Sequence, residues 1–368
     1  MRYAGIADVA FHPDSSLKIW LALDRLWTDR RVYVTDNGGI SWKNYSQGMP
    51  SLPVNVIRYV KGADNNLLLA GTDAGVYFRD NSMEQWAYFG KGLPHTIVSD
   101  LEINYKRKKV LAATYGRGLW EADLCLPVSN SAITITENTV WERDKNMLHD
   151  VIIAAGATLT ITATIEMGDD RTIKVMPGGQ LIINGGKLTA NCINLWQGIR
   201  LFGHADFGDT TLPQAKLSMN YGATIEKARI AVECMAVNDT AHSCPQGGGV
   251  IYANRSYFTN NIQSILMHPG IGINPSEFKF CRFTNNELIE GQGPEAQVEL
   301  NGIQGVHFTS CQFENLIPVN LIQLPDRGCG IRSFNSWFVV SKAVVNDSLP
   351  FAPSADPLFK QFNCGIDA

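Results

Sequence analysis

The segment from Asn286 to Val298 holds Glu287, Glu290 and Glu295, and Glu299 follows directly. Paired carboxylates are what glycosidases use, one as acid and the other as base or nucleophile. A polysaccharide lyase needs something different: acidic calcium ligands, plus a basic residue that removes the proton α to a carboxylate. Asp326 and Arg327 could join the glutamate loop in that role, and calcium would be the cofactor. No family motif surrounds either set, and a solvated acidic loop is the better reading of these residues. The sequence therefore commits no residue to catalysis.

Two other groups could do chemistry. Cys234, His242 and Cys244 lie near the glycine run Gly247–Gly249. They could ligate a metal, but three ligands without a fourth make a weak site. A Cys234–Cys244 staple and free thiols are the alternatives. The eight cysteines contain no CxxC pair, which argues against zinc ribbons and thioredoxin-like chemistry. Sugars stack on flat rings whose faces stay in water, and Trp196, Tyr252 and Trp337 are the candidates for that contact.

Elements must position these residues, and the chain announces them through two repeats. Trp42 to Pro50 recurs 44 residues later as Trp86 to Pro94. Each such unit opens with a strand-like segment: Ile6–Phe11, Val54–Tyr59 or Val98–Ile103. An apolar strand follows (Ile19–Leu23, Leu67–Gly71, Val110–Thr114), then an aromatic one around Tyr33, Tyr77 or Trp120. Three or four short strands per unit of this length is the blade pattern of a propeller. The basic run Lys106–Lys109 falls between two of these segments and reads as a solvated hairpin turn.

From Ala132 the texture changes to short alternating runs separated by glycine turns. Leu159 to Leu181 spans 22 residues, about one coil of a parallel β-helix. Later coils are marked by Phe258, Phe283, Phe313 and Phe338, spaced 25, 30 and 25 residues. These predict an internal aromatic ladder. Asn260, Asn285 and Asn315, each two residues after its Phe, predict a second ladder at a corner, with amides bonded along the axis. Cys281 and Cys311, each two residues before its Phe, read as inward apolar fillers.

Thr35, Asn37, Gly39, Ser41 and Trp42 resemble the Asp-box of sialidase-like and sortilin-like propellers, with Asn37 in place of the Asp. The resemblance implies a structural turn, with Trp42 packed between blades. Pro177–Leu181, Asn194–Ile199 and Gly328–Ile331 resemble right-handed β-helix regions of large surface proteins exported by the type IX secretion route. Together they imply an all-β chain. Residues 1–124 would be a partial β-propeller of about three blades, 125–345 a right-handed parallel β-helix, and 346–368 an irregular tail. The rest of the propeller, and a signal peptide, would lie upstream in a longer polypeptide.

Function follows as an expectation. Abundant repeats without a coherent catalytic constellation suit an extracellular or cell-surface structural or adhesive module that binds polysaccharide or a surface glycan. A glycosidase or lyase is the alternative. The net charge of −4 gives no electrostatic reason to expect nucleic acid. No apolar stretch reaches the roughly 18 residues that a membrane-spanning helix needs.

Overall fold

The computed structural model describes residues 5–24, 30–63, 66–90, 92–124, 132–192, 194–237, 246–291, 293–343 and 357–367. The chain divides into two compact units, Met1–Leu126 and Pro127–Ala368. Each is built almost wholly of strands.

The first unit holds three small antiparallel sheets, each a meander in chain order. The first runs Ile6–His12, Ser15–Leu23, Val32–Thr35 and Lys43–Asn44. The second runs Val54–Tyr59, Leu68–Thr72, Gly75–Arg79 and Ala87–Tyr88. The third has Val98–Asn104, Lys109–Thr114 and Gly118–Asp123. Lys106–Lys109 lies at the hairpin joining the first two of these, as its charge suggested. Apolar strands form here because alternate residues meet a shared core that contains Trp20, Val32, Ile57, Leu68 and Trp86. One cation ties the three opening strands together. Arg58 reaches Asp8 on the first and, through Nη2 at 2.8 Å, Asp100 on the third.

The Asp-box-like turn closes on itself. The Thr35 hydroxyl donates to Asn37 Oδ1 (2.8 Å), which also accepts from the Ser41 amide (2.9 Å). Gly39 sits at φ +94°, a conformation that a side chain would strain. Trp42 does not pack between sheets. It is half-buried and folds back on its own turn, with Nε1 donating to Gly39 O at 3.1 Å. Trp86 takes the linking role instead, donating to Tyr45 O of the first sheet at 2.7 Å.

The second unit is a stack of parallel coils. Each full coil gives one strand to each of three sheets, which contain nine, eight and eight strands. This is the architecture of a parallel β-helix. Leu159 pairs with Leu181, so the 22-residue interval is one coil. Inward residues form one continuous core, from Ile135 and Val151 through Leu201 to Phe313 and Ile331.

Two aromatic columns fill its last coils. Phe258, Phe283 and Phe313 stack in the third sheet at 4.8 and 4.7 Å, with planes 4° apart in each pair. The column does not continue through Phe338, which lies opposite Val306 in the second sheet. It continues through Phe359, 4.8 Å from Phe313. Phe278 and Phe308 form the second column, 4.9 Å apart.

The tail is correspondingly more regular than its sequence suggests. Leu358–Lys360 and Cys364–Asp367 add strands to the third and first sheets. Their three or four residues are too short to show periodicity.

The asparagine ladder also shifts. Asn261, Asn285 and Asn315 are fully buried at the turn after the third sheet. Asn260 instead adopts φ +53° and bonds Asn286 and Glu287 through its side chain. The buried amides do not bond each other. Asn261 and Asn285 donate to backbone carbonyls of the preceding coil, Ile225 O and Asn261 O.

Candidate functional site

The proposed catalytic residues do not converge as a set. Glu290 is bound by Arg229 at 3.0 Å, and Glu287 by Lys227 at 3.4 Å. Arg327 is 2% exposed and donates to the carbonyls of Asn315 and Ile317 at 2.8 and 3.0 Å, and to Gln361 O. It ties the end of one coil's third-sheet strand to the bend after the next coil's strand Leu358–Lys360, and its burial leaves no free face for a substrate.

Glu295 and Asp326 do meet at one place. They line an open cleft of about 850 Å³ with Arg332, between the loops 286–295 and 316–328. Leu288, Leu321 and Ile322 give the cleft an apolar wall. Arg332 is itself shared with Glu299 (3.6 Å) and Asp367 (3.9 Å) on the first sheet. Among the described residues, no group of three or more His, Cys, Asp or Glu could hold a metal ion, calcium included.

The cysteine loop resolves in part. Cys234 is a free, buried thiol, so a Cys234–Cys244 staple is not formed. His242 and Cys244 lie outside the described residues. Cys281 and Cys311 are free and fully buried, as apolar fillers should be. Beside this loop the Glu233 carboxylate accepts a bond from His268 Nε2 (3.1 Å) and faces Arg200 Nε (3.3 Å). Burial pushes its pKa up, but the His268 hydrogen bond and the charge of Arg200 outweigh it and hold the group below the ordinary carboxylate range.

Trp196 is not a sugar platform. It is fully buried, with Nε1 donating to Glu226 O at 2.9 Å. An indole carries one polar atom, and here the turn carbonyl satisfies it inside the core. Tyr252 and Trp337 are exposed on the second sheet, at 41% and 56%. Glu277 follows Tyr252 in register and His307 follows Glu277. The His307 ring meets Trp337 edge-on at 6.4 Å.

Close to Tyr252 along the chain lies a group that the sequence reading missed. In four successive coils the corner between the second and third sheets holds a left-handed residue other than glycine. These are Tyr221 (φ +56°), Arg255 (φ +50°), Phe280 (φ +54°) and Ser310 (φ +51°). Amides of successive corners bond the coil beyond: Gly222 N to Arg255 O, Arg255 N to Lys279 O, Phe280 N to Thr309 O. Tyr221 is 81% exposed, and Tyr257, just past the next corner, is 41% exposed. A Cβ on Gly222 would stand 3.7 Å from the Tyr257 ring, so that ring lies over the neighbouring corner. Arg255 sits 5.8 Å from the centre of the Phe280 ring. Two tyrosines, a phenylalanine and an arginine thus share one edge of the helix, with Tyr252 three residues before Arg255 on the adjoining second-sheet face.

A local signal marks these corners: a polar residue, the corner residue, then Gly, Ser or Cys. It reads Asn220-Tyr221-Gly222, Asn254-Arg255-Ser256 and Lys279-Phe280-Cys281.

Comparison with family models, with curated proteins and with solved structures finds no match to this chain.

Proposed function

We propose that this chain is a non-catalytic, glycan-binding module of an extracellular or cell-surface protein. In this reading the three small sheets are part of a propeller, and the β-helix is a stalk that carries the binding surface. The Asp-box-like turn supports the first part, and the resemblance to β-helices of type IX-exported proteins supports the location. The observation that carries the binding reading is the aromatic corner. Tyr221 on one coil, and Tyr252 and Tyr257 on the next, about 4.8 Å along the axis, are exposed to water. That interval is comparable with the length of a pyranose unit. A rigid β-scaffold holds the rings without the ordering cost that a flexible loop would add on binding.

The alternative, polysaccharide cleavage, is favoured by one observation: Glu295 and Asp326 share the open cleft with Arg332. One experiment separates the two. The purified chain is run through gels containing neutral and acidic polysaccharides, with and without calcium, and the gels are stained for polymer clearing. Retardation without clearing, lost on combined Tyr221→Ala, Tyr252→Ala and Tyr257→Ala substitution, supports the binding module. Clearing that disappears with Glu295→Gln or Asp326→Asn overturns it.

A further inference from the structure

We infer that the aromatic corner takes a polyanionic polysaccharide, bearing carboxylates or sulfates, rather than a neutral one. This inference rests on the glycan-binding reading above. Its basis is which charges around the corner are already matched.

The acids beside the tyrosines are matched, whereas Glu314, diagonal to Arg282 one coil further on, has no ion-pair partner among the described residues. Glu277 is held by Lys279 at 2.7 Å, two positions along the same strand. Glu226 is held by Lys187 at 2.6 Å and also accepts from the Thr189 hydroxyl at 2.8 Å.

Two cations are not matched. Arg255 and Arg282 are exposed, and among the described residues neither has an ion-pair partner. Both adjoin the rings. Arg255 is the corner residue between Tyr221 and Phe280, and it precedes Tyr257 by two positions. Arg282 stands directly beside Tyr257 in the third sheet, one coil on.

The chain as a whole carries a net charge of −4, so this local excess runs against the overall balance. A guanidinium offers a planar fork of donors that fits carboxylate and sulfate oxygens. With ring faces on either side, each sugar unit can stack while its anionic group meets an arginine. A neutral glycan would use the rings and leave both arginines to water. Because Tyr221, Arg255 and Phe280 occupy the corners of three successive coils, the natural occupant is an extended polymer lying along the helix axis.

The test is affinity electrophoresis against matched pairs: polygalacturonate with its fully methyl-esterified form, and dextran sulfate with dextran. Retention by at least one polyanion should be tenfold or more tighter than by its neutral partner, and it should weaken as salt rises. Combined Arg255→Gln and Arg282→Gln should lower it about tenfold without changing the melting temperature. Whether polygalacturonate or dextran sulfate binds tells carboxylate from sulfate. Equal retention by the neutral and charged members of each pair would overturn the polyanion inference and leave glycan binding standing. So would indifference to the arginine substitutions. Polyanion retention unaffected by Tyr221→Ala and Tyr257→Ala would place the site elsewhere. No retention by any polymer would sink the glycan-binding reading itself.

Discussion

The Phe313 ring lies parallel to that of Phe283, with centroids 4.7 Å apart and planes 4° from each other. Phe359 extends the same column at 4.8 Å. Phe313 is therefore sandwiched, and it is fully buried. Its replacement by Ala should cost about 3–5 kcal/mol, the usual range for emptying a large core site. Phe338 is only partly buried, so Phe338→Ala should cost clearly less. Denaturant unfolding of both variants checks the order, and equal losses would contradict the column as described.

Arg327 gives a prediction that separates structure from chemistry. Its guanidinium binds the carbonyls of Asn315, Ile317 and Gln361. Arg327→Met would leave the buried Asn315 and Ile317 carbonyls unpaired, at about 1–3 kcal/mol for each one that water cannot reach. Melting temperature should fall while polysaccharide retention by the remaining folded protein stays unchanged. Lost activity with an intact melting curve would restore Arg327 to the catalytic list.

Acid should reveal the Glu233 cluster. Its carboxyl is held below the ordinary range by His268 and Arg200. An acid whose folded pKa is depressed stabilises the fold at pH values above its unfolded value, about 4.3. That contribution disappears as pH falls through the folded value. Glu233→Gln should therefore be less stable than wild type at pH 7, with the gap closing below about pH 4. Stability measured across that range tests it, and a constant gap would exclude the linkage.

Base should act through the thiols. Burial pushes the pKa of Cys234 and Cys281 well up. In the unfolded chain such a thiol ionises near 8.5, while the folded one keeps its proton. Each therefore weakens the fold as pH rises above that point, by roughly 1.4 kcal/mol per pH unit. Native alkylation at pH 8 should label Cys364, a free thiol that is partly exposed, well before Cys234 or Cys281. Mass spectrometry of the labelled sites gives the order.

The all-β class and the parallel coils were legible because their signals are periodic. Leu159 and Leu181 mark a coil, since the sheets demand apolar residues at a constant interval. The same logic misled at Phe338. Trp337-Phe338 imitates the earlier Phe phrases, but coil length varies with the inserted loops, and the true successor is Phe359. Asn260 and Asn261 are adjacent and chemically identical, and only the backbone path decides that Asn261 is the fully enclosed one while Asn260 takes the left-handed turn. The candidate surface was harder. Tyr252 and Trp337 were found, whereas Trp196 proved to be core. Tyr221 and Arg255 escaped notice because exposure depends on register, and the corner spacing is 34 and then 25 residues.

The left-handed corner separates two demands that usually compete. A non-glycine residue there is strained by about 1–2 kcal/mol, yet Tyr221, Arg255 and Phe280 all accept that strain. Their side chains are outside the packed interior, so the core is indifferent to which residue each one is. Positions 221, 255 and 280 thus behave like movable type in a fixed frame. A library randomised at those three should stay folded almost throughout while its members differ in the polymer they retain.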